Sequence, residues 1–107
     1  MVARYLIHGS YTLDGIRGVA KEGGSKRRDT VAKGLTSVGG KLVSFDFALG
    51  KDDFFVIADI PNNVAAAALA ISVGAAGGAV VHTTPLLTPE EVDAAIKEHV
   101  TYRAPGA

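Results

Sequence analysis

The 107-residue chain has no cysteine and no tryptophan, and aromatic residues make up only 7% of it. Without cysteine there are no disulfides, no thiol nucleophile, no thiolate zinc site and no cysteine-ligated iron–sulfur cluster, and the redox compartment is left open. With so few rings, the 48% of hydrophobic residues must build a core mainly from aliphatic side chains and alanine. Neither sign of charge is in excess, since eleven basic residues balance eleven acidic ones. A nucleic acid or an anionic membrane therefore gains nothing from overall charge, and any electrostatic site must be local. A long hydrophobic run is missing too. The most apolar stretch, VAAAALAISVGAAGGAVV from Val64 to Val81, is interrupted by glycines and rich in alanine, too weak and too broken to span a bilayer. The apolar part of MVARYLIHGS is too short for a signal peptide. The expectation is a cytoplasmic protein with neither nucleic-acid nor membrane partners.

What is present follows a regular order. The stretch VARYLIHGSY, from Val2, is aliphatic and β-prone. TLDGIRGVAKE starts a helix capped by Thr12, with Ile16, Val19 and Ala20 at helical spacing. Gly23 and Gly24 interrupt it, and Ser25 is expected to cap a second segment in which Val31, Leu35 and Val38 share a face and Asp29 pairs with Lys33. KLVSFDFAL alternates, Val43, Phe45 and Phe47 against Leu42, Ser44, Asp46 and Ala48, as a half-exposed edge strand does. GKDD makes a turn, and the near-continuous apolar run FFVIADI reads as a central return strand ended by Pro61. Asn62 or Asn63 caps an alanine-rich helix, Gly77 and Gly78 close it, and AVVHTT is a last short strand. Thr88-Pro89-Glu90-Glu91 then combines a capping threonine, a proline at the first helical position and a glutamate three residues after the cap. The helix it opens carries Val92, Ala95, Ile96 and Val100 on one stripe, with His99 beside it.

The pattern βαββαβ plus a C-terminal helix suits an α+β, ferredoxin-like sandwich formed by residues 1–107 as one domain, with an antiparallel sheet and the main helices on one face. That arrangement leaves the other sheet face bare, although the first and third strands have little polar alternation. The helix from Val64 to Val73 is also apolar nearly all round, as buried helices are. A homo-oligomer, a dimer or larger, packed sheet face to sheet face is expected.

The order YLIHGSYTLDGIRGVAKEGGSKRRDTV, GGKLVSFDFALGKDDFFVIADIPNNVAAAALA and TTPLLTPEEVD resembles the GYD-domain family of small bacterial proteins, over nearly the whole chain. The family's Gly-Tyr-Asp falls at Gly50-Lys51-Asp52, so lysine stands where the family has tyrosine. The resemblance implies a ferredoxin-like fold related to dimeric α/β barrels, and no catalytic residues.

Two clusters carry possible chemistry. In GGSKRR a glycine pair precedes a helix start whose backbone N–H groups and dipole favour an anion, and Lys26, Arg27 and Arg28 stand where cations are disfavoured. Arginine grips phosphate or carboxylate in a bidentate way, so Ser25, Lys26, Arg27 and Arg28 are candidate ligands of an anion. A cation misplaced there costs only about 0.3–1 kcal/mol, so a solvated or subunit-contacting face is the simpler explanation of the cluster, with Arg28 laying its stem along the Val31–Leu35 stripe. The second cluster is His8 and His82, expected as diagonal neighbours on one sheet face, where two imidazoles suit acid and base. Asp46 joins them as a ligand-binding candidate, and Asp59 is a further acid whose face parity leaves open. No third ligand, HxH or HExxH spacing supports a metal, and no nucleotide or cofactor motif occurs. The expected function is binding of a small anionic organic molecule between the sheet face and its partner copy. A cofactor-independent oxygenase, isomerase or cyclase and a structural or regulatory subunit are the alternatives.

Overall fold

The computed structural model describes residues 3–107, and the expected strand start at Val2 lies outside them. Polar caps and glycines mark most of the element boundaries. Strand β1 (Ala3–Tyr11) ends at Thr12, whose side chain accepts from the Gly15 amide at 3.1 Å and starts α1 (Leu13–Glu22). Gly23, at φ 90°, breaks the helix and begins α2 (Gly24–Ser37). Only glycine adopts that conformation without strain. Strand β2 (Lys41–Phe47) and β3 (Phe54–Ile60) follow as a hairpin. Asn62 then caps α3 (Asn63–Ala76) by accepting from the Ala65 amide at 2.9 Å. Gly77 closes α3 in the left-handed conformation before β4 (Ala79–Leu86), and Thr88 and Glu91 form a complete capping box on α4 (Pro89–Ile96).

The four strands form one antiparallel sheet in the order β2-β3-β1-β4, the ferredoxin-like arrangement expected from the element order. On β1 the side chains of Tyr5, Ile7 and Tyr11 face the helices, while Arg4, Leu6 and His8 face outward. Tyr5, Leu35, Ala58, Ile60 and Ala66 make one buried cluster, and Phe54, Val56 and Ala79 a second. Leu35, at 0% exposure, ties α2 to the sheet. Gly15 and Gly78 meet so closely that a Cβ on Gly15 would collide with the Gly78 carbonyl, which seats α1 at the start of β4.

Several expectations are corrected. A bulge between Leu42 and Ser44 puts Leu42 with Phe45 on the helix side, because the extra residue shifts the alternation. Gly23, not Ser25, is the N-cap of α2, since the helix starts one residue before Ser25. Asp29 bonds Arg28 rather than Lys33. β4 runs two residues further than expected, through Pro85 and Leu86, which an edge strand accommodates. The apolar helix α3 is not enclosed. Val64 is 80% and Ile71 71% exposed, because its alanines bury little area on either side. No helix among the described residues is long and apolar enough to cross a membrane.

Candidate functional site

A cavity of about 250 Å³ lies on the helix side of the sheet, between α2 and α3. Small residues make the room. Gly34 on α2 faces α3, where Ala66, Ala70 and Ala76 stand at positions that larger side chains would fill. The floor is Ile7, Val56 and Phe54, and polarity is confined to groups such as Thr30, Ser72 and the Tyr11 ring. Sequence reasoning missed this cavity. Its available signal was the run of alanines on α3 opposite a glycine at the core-facing side of α2.

Tyr11 also borders a second hollow of about 170 Å³, together with Arg27, Asp14 and Glu22. Arg27 is half-buried, and its Nε is shielded from solvent with no hydrogen-bond partner among the described residues. Burial pushes the Tyr11 phenol above its ordinary pKa, while the Arg27 charge works the other way. The expected basic cluster is therefore divided. Arg27, four residues before Val31 and eight before Leu35, lies on the inward face. Arg28, read as the residue along that stripe, is instead exposed and bonded to Asp29 at 3.2 Å. Ser25 and Lys26 are exposed on the surface.

On the outer face, register builds one row across all four strands. Asp46 stands opposite Phe55, Phe55 opposite His8, and His8 directly opposite His82 rather than diagonal to it. The His8 ring stacks on Phe55 at 5.7 Å and sits 5.4 Å from His82. His8 Nδ1 lies 2.9 Å from Asp52 Oδ2. With Asp52 ionised, Nδ1–H donates, which leaves Nε2 as the free acceptor of the neutral ring. Asp52 and Asp53 had turn chemistry as sufficient reason in sequence, yet they fasten the hairpin to β1. Asp53 accepts from the Tyr11 amide at 2.9 Å, and the Lys51 carbonyl accepts from Ser10 Oγ at 3.3 Å. The Lys51 contact uses backbone alone, so it is indifferent to lysine replacing tyrosine. Asp59 forms an exposed pair with Arg4 at 3.0 Å and does not join the histidines. No group of three metal-binding side chains occurs among the described residues.

A family model for the GYD domain matches residues 5–96. The chain belongs to the GYD domain family. The match runs from Tyr5 in β1 to the end of α4, so the Asp52–His8 contact lies within the GYD domain, at the Gly50-Lys51-Asp52 segment. Neither the curated proteins nor the solved structures contain a match to the chain.

Proposed function

We propose that this GYD domain is a cytoplasmic, homo-oligomeric protein that binds a small organic molecule in the cavity between its sheet and α2–α3. The cavity carries the reading. A void of about 150 Å³ lined by apolar side chains suffices for benzene, and this one measures about 250 Å³. The anionic character expected of the ligand now rests on Arg27 alone, which borders the adjoining hollow and reaches the cavity only through their shared residue Tyr11. Asp14 and Glu22 temper that charge, so the ligand is mainly apolar with one anionic or acceptor group. The bare outer face, where Phe55 is 40% exposed, supports an assembly in which a second copy covers it, as in dimeric α/β barrels.

Benzoate and neutral benzamide are suitable probes, titrated by calorimetry and by NMR of the Val56 and Ala70 amides. Both should bind, and Ala70→Phe should block both by filling the cavity. Arg27→Gln should weaken benzoate by about tenfold or more, as expected for a lost charged hydrogen bond, and leave benzamide unchanged. Arg28→Ala should affect neither. Failure of both probes to shift cavity resonances at millimolar concentration would overturn the reading.

A second reading rests on the Asp52–His8–His82 arrangement. Asp52 fixes the tautomer of His8, whose Nε2 would take a proton from an acidic C–H or O–H bond while His82 returns one. This supports a cofactor-independent enzyme of the isomerase or cyclase type. Asp52→Asn with full retention of turnover, once a substrate is found, would remove it.

A further inference from the structure

Two helices of the protein have apolar stripes left exposed among the described residues. All residues from Leu87 to Ala107 are exposed, including Val92 and Ile96 at 44% and 76%. An isolated helix shorter than about 12–15 residues is marginal in water, so the eight-residue α4 needs a docking surface in spite of its capping box. The other bare stripe is on α1, where Leu13, Ile16 and Ala20 point away from the body while Gly15 and Gly18 turn inward. Arg17 and Lys21 flank that stripe, and Lys26 and Arg28 continue the basic surface at the start of α2. The α4 stripe is flanked by Glu91 and Asp93. The acids of α1, Asp14 and Glu22, lie on its other side around the hollow with Arg27, so the charges beside the two stripes are complementary.

They do not meet within one chain. Thr12 holds α1 to the start of β4, its amide donating to the Gly78 carbonyl at 3.0 Å, whereas α4 leaves from the far end of that strand. Eight residues of strand separate them by roughly 26 Å, and the two residues Leu87 and Thr88 between β4 and α4 are too few to fold back over that span. The molecule is accordingly drawn out to 56 Å in its longest dimension. A two-fold axis perpendicular to β4 reverses the second copy, placing the end of β4 in one chain near its start in the other. We infer that α4 of each copy packs on α1 of a second copy, a reciprocal and closed contact between the acidic and the basic stripe. The basic GGSKRR segment then meets the acidic surface of its own partner copy. This inference is independent of what the cavity binds.

The absence of cysteine makes the test direct. Lys97→Cys places a spin label at the end of α4, off its apolar stripe, and the labelled protein is mixed with isotope-labelled wild type and allowed to exchange subunits. Light scattering should give twice the mass of one chain, and the label should broaden the amide signals of Leu13 to Lys21 in the other copy. Ile16→Asp and Ile96→Asp, both at exposed positions, should each lower the mass to one chain with the circular dichroism of the folded body kept. A monomeric wild type overturns the inference. So does a dimer in which broadening is confined to the outer-face residues or is missing from α1.

Discussion

Tyr11 shows how burial and a neighbouring charge act on one phenol from opposite directions. Burial holds the Tyr11 phenol protonated above its ordinary 10.0, and Arg27 partly opposes this. The folded protein therefore keeps that proton more tightly than the unfolded chain. The stability this contributes is complete below pH 10 and is lost as pH rises through the folded value. Arg27→Ala should push the Tyr11 pKa higher still, read from its ring-carbon NMR shift across an alkaline titration. A fall in that value would contradict the assigned geometry. At the opposite extreme of pH, Arg4 bonded to Asp59 holds its carboxyl below the ordinary 3.8. This contribution is present above that value and is lost as pH falls through the folded value. Arg4→Met should return the Asp59 carboxyl to ordinary titration by NMR with little effect on global stability, because the pair is exposed.

At the scale of elements, caps and close approaches decide which segments are firmly placed. Replacing Asn62 by alanine removes the acceptor for the Ala65 amide and should cost about 1 kcal/mol in denaturant unfolding. Leu35→Ala, at the contact of α2 with the sheet, should cost about 2–5 kcal/mol, since it deletes a fully buried side chain and leaves a void. Gly15→Ala should loosen α1 from β4, because the added methyl meets the Gly78 carbonyl. Faster hydrogen exchange at the α1 amides, without loss of protection in β3, would report that. Thr88→Ala is expected to behave differently from Asn62→Ala. α4 is exposed along its length, so under the proposed pairing with α1 of a second copy the variant should alter association more than the unfolding of the body.

For the whole molecule the distribution of small residues matters more than its zero net charge. Alanines on α3 and Gly34 on α2 leave a cavity where aromatic or leucine side chains would have closed the core. The same shortage of bulk leaves α3 exposed and the core thin, so stability is expected to respond to whatever fills that space. Ala70→Leu should raise the melting temperature while displacing bound benzoate. A variant that is stabilised yet binds unchanged would place the ligand elsewhere.

The sequence by itself determined the order and type of the elements, because periodicity, caps and glycine breaks are local signals. Thr12, Gly23, Gly77 and the Thr88–Glu91 box all lie where the chain changes direction. It also placed His8 and His82 on neighbouring strands. Only the tertiary structure decided that they stand directly opposite, since register depends on how three strands pair at once. The bulge in β2 was hidden for the same reason, since the strand alternates in sequence whether or not a residue is skipped. Arg27 and Arg28 are neighbours of identical type, and helical phase against the sheet turns one toward Tyr11 and leaves the other in solvent. Asp52 read as a turn residue because its partner lies 44 positions away on β1. Local chemistry is written along the chain, whereas cavities, registers and cross-strand partners arise from packing between segments that are distant in sequence.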